Sequence, residues 1–288
     1  MKKLTTLIAI ICLAFNTTAC SQPYTHSSGN VFGSKTIKAS KTYVTKEINV
    51  SKFEKISMAG GIEVIYNQKP GSPGVEIYTS DNIVDLLDIR VKDHTLLIGF
   101  KKNIKVSYNI LKIRVNSPDL NGVSVAGSGD FIFANTLKTE NDLSISIAGS
   151  GDVEGKEIHC KAMKVSIAGS GDMEMQSVVC NSLKASVAGS GDIHLKNITT
   201  TDVEASIAGS GEMSLHGTTQ NASYSISGSG DLTADGLKAQ KVNTSIAGSG
   251  DIKCFATEYL KVRTSGSGSV GYKGNPEIDT PKKGLYKL

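Results

Sequence analysis

The sequence predicts an all-β fold: a single-stranded right-handed parallel β-helix with coils of ~20 residues and an irregular N-terminal β cap. Three observations carry this. Gly-Ser-Gly recurs eight times, starting at Gly127, Gly149, Gly169, Gly189, Gly209, Gly228, Gly248 and Gly266, at steps of 18 to 22 residues. Self-similarity at such a period marks a solenoid, in which each repeat is one layer of a stack. Apolar residues alternate with polar ones on both sides of each turn, which is the period of a half-buried strand. The same residue type also returns at the same place in every unit. Parallel stacking puts like over like about 4.8 Å apart, whereas hairpins folded at the glycines would not.

The strand before each turn points inward at Val125, Ile147, Ile167, Val187, Ile207, Ile226 and Ile246, and again two residues earlier at Val123, Ile145, Val165, Ala185, Ala205, Tyr224 and Thr244. Between them lie Ser124, Ser146, Ser166, Ser186, Ser206, Ser225 and Ser245, which face outward. After the turn, Phe131, Val153, Met173, Ile193, Met213, Leu232, Ile252 and Val270 begin a second inward strand. Ile158, Val178, Ile198 and Leu237 suggest a third, shorter side. The glycines let the chain bend with positive φ between sides. The right-handed sense follows the general rule for parallel crossovers. Seven steps of ~4.8 Å give a repeat body roughly 34 Å long.

Residues 1–19 read as a signal peptide. Lys2 and Lys3 form its charged start, and an apolar run over 4–15 is too short to span a bilayer. Thr17-Thr18-Ala19-Cys20 resembles a bacterial lipoprotein signal, in which the cysteine is lipidated and becomes the first mature residue; Thr17 stands where an aliphatic residue is usual. Cleavage by ordinary signal peptidase after Ala19 is the alternative. Either route exports the chain and reduces its formal charge from +4 to +2 by removing Lys2 and Lys3. So small a charge argues against nucleic acid as a partner. Residues 20–42, rich in Ser, Thr and Lys, read as a flexible tether from an outer-membrane lipid anchor at Cys20. Ser21-Gln22-Pro23-Tyr24 carries no acidic residue, which favours the periplasmic face over the cell surface.

Residues 43–118 read as an N-terminal β cap with the first coils. The stretch 53–64 is a degenerate unit, with Ile56 and Met58 inward and Gly60-Gly61 at the corner. Further strands are expected over 75–78, 89–91, 95–100 and 110–115, and a short helical turn within 80–88, with Ser80 or Asp81 as its N-cap. The repeat β-helix occupies 119–274. The C-terminal tail, 275–288, holds Pro276, Pro281 and Lys282-Lys283, which suit an edge that recruits no further strand.

The Gly-Gly-Ile-Glu-Val entry at residues 60–64, the repeated Ala-Gly-Ser-Gly-Asp turns and the closing Gly-Ser-Val-Gly-Tyr-Lys-Gly-Asn-Pro of 268–276 resemble the head GIN domain family, auto-transporter adhesin-like proteins abundant in Bacteroidetes. The resemblance covers roughly residues 50–276. Glu63 stands where the family's name suggests Asn. It implies an exported β-helical protein and, from architecture, an adhesin-like role.

The residue after each turn is acidic: Asp130, Asp152, Asp172, Asp192, Glu212, Asp231 and Asp251. Stacked in parallel, these seven form a ladder of like charge, with neighbours repelling by roughly 0.8 kcal/mol even in bulk water. Hydrogen bonds from turn amides are the local remedy. The alternative is a cation such as Ca²⁺, the one cofactor the sequence suggests. Cys160 and Cys180 hold equivalent places in adjacent units and suit a disulfide in an oxidising compartment, or else two thiols filling a narrow core. His26, His94, His159, His194 and His216 are scattered and form no metal set, and no nucleophile with a base can be assigned. The sequence thus names no catalytic residue. It points to a non-catalytic cell-envelope protein, adhesin-like or a scaffold, that contacts glycan or an envelope protein. The alternatives are a cation-dependent polysaccharide-binding module and, behind it, a carbohydrate-active enzyme.

Overall fold

A computed structural model describes residues 36–279 and 284–288. The signal peptide and the lipidation site at Cys20 lie outside the described residues. From the first Gly-Ser-Gly corner onward the chain winds as a three-sided parallel β-solenoid. The first side contains the strands that end at the corner glycines: Gly122–Gly127, Leu143–Gly149, Ala162–Gly169, Ser182–Gly189 and Asp202–Gly209, then the C-terminal parts of Glu212–Gly228, Asp231–Gly248 and Ile252–Gly266. Each pairs with the equivalent strand one coil away, in register: Val125 with Ile147, Ile147 with Ile167, Ile167 with Val187. The hairpin alternative is therefore excluded.

The alternation seen in sequence is the burial pattern. Val125, Ile147, Ile167, Ile207 and Ile226 point inward and are buried, as are Phe131, Val153, Met173, Ile193 and Met213 on the second side. The expected third side exists: 137–138 pairs with 158–159, 158–159 with 178–179, and 178–179 with 198–199, and Ile158, Val178, Ile198 and Leu237 are buried. Differences in coil length are absorbed at both ends of the third side, between the second and third sides and, at Ala239 and Lys241, between the third and first. At the former the register shifts between Leu195 and Ile198 and between Ser214 and His216, and Asn197 and Gly217 take positive φ of 48° and 138°. The Gly-Ser-Gly corner never slips.

The cap begins as a coil and ends as an antiparallel edge. Lys55–Ala59 lies in register under Gly122–Gly127, with Ile56 under Val123 and Met58 under Val125, and Gly60 turns the corner at φ 101°. Glu63–Gln68 continues the second side. Thr95–Phe100, Gly74–Ser80 and Leu87–Lys92 contain three of the four further strands expected, and Leu111–Ser117 overlaps the fourth, starting one residue later. Gly74–Ser80 runs antiparallel to both Leu111–Ser117 and Tyr43–Asn49, and Leu87–Lys92 runs antiparallel to Thr95–Phe100. Reversed strands end the parallel ladder at this end. The helical turn is Asp81–Val84 with Ser80 at the N-cap position; the Ser80 hydroxyl donates to the Ser40 carbonyl at 2.9 Å instead of capping.

Two boundaries need correction. The tether was expected to run to residue 42, but Thr36–Lys38 is already a strand, parallel to Lys105–Ser107. Its reason is local anchoring: Asn82 accepts from the Ser40 amide and donates to the Lys38 carbonyl, both at 2.9 Å. The tail, read as an edge that recruits no further strand, itself supplies two edge strands: Glu277–Asp279 pairs with 259–261 and Leu285–Lys287 with 270–272. Pro276 precedes its strand, where no ladder N–H is required of it.

The core is one apolar column, with an aromatic cluster at the junction of cap and repeats. Phe131 and Phe133 meet edge to face at 5.0 Å between centroids, and Tyr66 stacks on Phe131 at 6.2 Å. The Tyr66 hydroxyl lies 3.0 Å from Ser117 Oγ. Further along, Tyr224 fills a place held by Ala205 and Thr244 in adjacent coils, and its buried hydroxyl has no hydrogen-bond partner among the described residues. Burial pushes the Tyr66 phenol up to about 12, and burial raises Tyr224 as well. Both phenols must stay protonated in the fold, whereas the unfolded chain ionises them above about pH 10. The stability they contribute is therefore complete below pH 10 and declines as pH rises through the folded values. Denaturant titrations between pH 9 and 12 should show stability falling, and falling less in Tyr66→Phe and Tyr224→Phe. At pH 7, Tyr224→Phe should be neutral or stabilising by up to about 1 kcal/mol, because it removes an unpaired buried hydroxyl.

Candidate functional site

The outer surface of the repeats is built from columns, because each outward residue stacks on its equivalent. Three meet at the Gly-Ser-Gly edge: the serine column of the first side, the corner itself, and the acidic ladder that opens the second side.

The corner is a hydrogen-bonded ladder. The Ser150 amide donates to the Gly127 carbonyl at 2.8 Å, Ser170 to Gly149 at 2.8 Å, Ser190 to Gly169 at 2.9 Å and Ser210 to Gly189 at 2.9 Å. That contact leaves no room for a side chain. A Cβ at Gly169 (φ 135°) would lie 2.2 Å from the Gly149 carbonyl oxygen, and one at Gly171 would lie 2.2 Å from that of Gly151. Gly60, at the cap's own corner, takes positive φ with nothing within 4 Å of such a Cβ. Gly169→Ala should thus cost more than Gly60→Ala by roughly 1–3 kcal/mol in denaturant titration, since only the former adds a clash to backbone strain.

The acidic ladder forms a second chain of hydrogen bonds beside the corner. The Asp152 amide donates to Asp130 Oδ1 at 3.3 Å, Asp172 to Asp152 and Asp192 to Asp172 at 3.0 Å, and Glu212 to Asp192 at 2.7 Å. The series resumes with Asp251 to Asp231 at 2.9 Å and ends at Ser269, whose amide and hydroxyl both donate to Asp251 Oδ1 at 2.8 Å. Each aspartate of the ladder therefore holds the amide of the next coil, an exchange that offsets like-charge repulsion. The sequence suggested turn amides; the structure places the donor one coil away. One link is missing. The Asp231 amide donates to the Gly211 carbonyl at 3.2 Å, because the longer Glu212 does not present its carboxylate there. Among the described residues, no three His, Cys, Asp or Glu side chains converge as a metal site.

The serine column continues into the cap: Ser57 stacks on Ser124, and the series runs in register through Ser146, Ser166, Ser186, Ser206 and Ser225 to Ser245. Ser186 Oγ donates to the Val165 carbonyl at 3.2 Å; the other hydroxyls of the column make no such protein bond among the described residues. Ion pairs cross the coils at Lys184–Glu204, 2.6 Å, and Lys196–Glu174, 2.7 Å. Both are exposed and add little stability. The histidines stay apart: His159 pairs with Glu157 at 2.9 Å and His216 Nε2 lies 3.2 Å from Ser214 Oγ, on different coils, while His26 lies outside the described residues. Cys160 and Cys180 come together as adjacent thiols at the corner between the third and first sides, beside an open concavity of about 640 Å³. Cys254 is enclosed in the core.

The broken link gives a direct test of the ladder. Glu212→Asp should complete it and raise stability by roughly 0.5–1.5 kcal/mol, and Asp172→Ala should lower stability by a similar amount. Asp172→Asn keeps the acceptor and removes one charge, so its denaturation midpoint should stay close to that of the parent.

The family model "Putative auto-transporter adhesin, head GIN domain" matches residues 52–216 and 176–276. Among solved structures, a "putative lipid binding protein" from Parabacteroides distasonis is 29% identical, with a TM-score of 0.69, covering 88% of this chain and 100% of its own. A "putative adhesin" from Parabacteroides merdae is 28% identical, with a TM-score of 0.66, covering 88% and 95%. Another from Bacteroides fragilis is 33% identical, with a TM-score of 0.51, covering 87% and 95%. No curated protein matches the chain.

Proposed function

The chain belongs to the head GIN domain family, and from that premise we propose a non-catalytic, adhesin-like or scaffolding role at the bacterial cell envelope. The family's adhesin character points to an exported or cell-surface protein. The observation that carries the reading is the serine column, eight side chains long, in register and turned outward on a strand face whose inner half is wholly committed to the core. Hydroxyls repeating at about 4.8 Å suit an extended polar partner, a glycan chain or an envelope protein. Catalysis asks for a unique constellation, and this face repeats one.

Attachment belongs to the same proposal. A lipid on Cys20, reached through the segment that precedes Thr36, would hold the solenoid at the outer membrane, on the periplasmic face. The Parabacteroides distasonis relative described as lipid binding is compatible with such membrane attachment. The interior of the coils is not an obvious lipid site, because apolar side chains fill it. Acyl-chain labelling should mark the parent and not Cys20→Ala, and protease treatment of intact cells distinguishes the two faces.

The binding reading is tested with beads carrying the purified protein, presented to arrayed glycans and to isolated envelope, with and without Ca²⁺. Combined Ser166→Arg, Ser186→Arg and Ser206→Arg should abolish retention while leaving the melting temperature within a few degrees. Unchanged retention would reject the serine face. Retention that requires Ca²⁺ and is lost in Asp172→Asn would transfer the role to the acidic ladder. Glycan cleavage abolished by a single Asp substitution would mark an enzyme.

A further inference from the structure

We propose that Cys160 and Cys180 form a thiol–disulfide exchange site, at which a disulfide-bearing oxidant converts the pair into a covalent staple between adjacent coils.

Register brings the two together. The Cys160 amide donates to the Val179 carbonyl and the Cys180 amide to the Thr199 carbonyl, both at 3.1 Å, so the cysteines are successive rungs of one ladder. Rungs lie about 4.8 Å apart, inside the Cα separation a disulfide spans. Cys180 Sγ lies 3.7 Å from Thr200 Oγ1, on the next rung of the same column.

Threonine flanks the pair on both sides in the column they occupy. On either side of the pair the column holds Thr139, Thr200 and Thr219, whose hydroxyls close the turn: Thr139 accepts from the Asn141 amide at 3.2 Å, Thr200 donates to the Asp202 carbonyl at 3.3 Å, and Thr219 donates to the Asn221 carbonyl at 3.1 Å; further along, the column holds Ala239 and Ala256. A thiol does this poorly, being a weak donor and a weak acceptor. Two consecutive coils forgo the turn-closing hydroxyl and gain a dithiol.

The pair is also reachable. The concavity of about 640 Å³ is lined by both cysteines, His159, Lys161, Asn181 and Thr200. Cys160 is only partly buried and Cys180 is 8% exposed, whereas Cys254 is 0% exposed. Hydrogen bonding from Cys160 lowers the Cys180 thiol from its ordinary value while raising its partner, so one sulfur of the pair is readied as thiolate.

The exchange runs in two displacements. One thiolate attacks a sulfur of the incoming disulfide, forming a mixed disulfide and releasing one oxidant thiolate. The second thiolate then attacks the protein's sulfur in that mixed bond, forming Cys160–Cys180 and releasing the other oxidant thiolate. The protein loses two electrons and two thiol protons; the oxidant gains both.

Oxidised glutathione is the probe, and peptide mapping of the full folded chain by mass spectrometry is the measurement. A linked peptide joining 160 to 180 should form, Cys254 should resist alkylation until denaturant is added, and the oxidised protein should melt several degrees above its reduced form. Cys160→Thr and Cys180→Thr, which insert the residue the column already uses, should fold. Each should stop at a mixed disulfide carrying one glutathionyl group on the remaining cysteine. Two independently alkylatable thiols after oxidation, or glutathionyl groups on both, would overturn the proposal.

Discussion

The solenoid depends on one contact repeated at every coil: a corner carbonyl accepting the serine amide of the next coil, across a gap that admits no Cβ. It sets the spacing of layers and fixes the register of everything on either side. Strand pairs can slip, and here they do: between the second and third sides, where Asn197 and Gly217 take up a residue gained or lost, and between the third and first sides at Ala239 and Lys241. The glycine edge cannot slip without driving a side chain into a carbonyl. All other columns, apolar, hydroxyl and acidic, inherit their alignment from it.

That inheritance explains why so much was legible. Because equivalent residues stack, reading one unit reads them all, and even the short third side showed itself through Ile158, Val178 and Ile198. The cap's Gly60-Gly61 corner was recognisable for the same reason. What escaped the sequence lacks a repeat to vouch for it. Tyr43–Asn49 pairs antiparallel with a strand some thirty residues away, and its own burial is too shallow to announce a partner. The strand Thr36–Lys38 is three residues long and is held by Asn82, which no local pattern connects to it. In the tail, Pro276 directly precedes the strand Glu277–Asp279, and a proline blocks pairing only where an N–H is needed.

The site was legible in its residues and not in its geometry. Composition showed seven stacked acids and the repulsion they imply. It could not show that each carboxylate reaches across to the next amide, because that depends on the direction in which a side chain leaves the corner. Nor could it show that Glu212, chemically the mildest of substitutions, interrupts the chain of bonds: one methylene moves the acceptor away from the Asp231 amide, which turns to a carbonyl instead.

The acids and the serines therefore divide the surface between structure and contact. Along most of the ladder the Asp side chains spend an oxygen on neighbouring backbone, and removing one disturbs the coil above. The serine hydroxyls, apart from Ser186, have no such engagement among the described residues, and the strand beneath them is held by its backbone ladder and its inward residues. A face that contributes little to folding is free to be shaped by what it meets. By the same reasoning the threonine corner is structural wherever its hydroxyls close turns, and it ceases to be so at the two coils where sulfur replaces them.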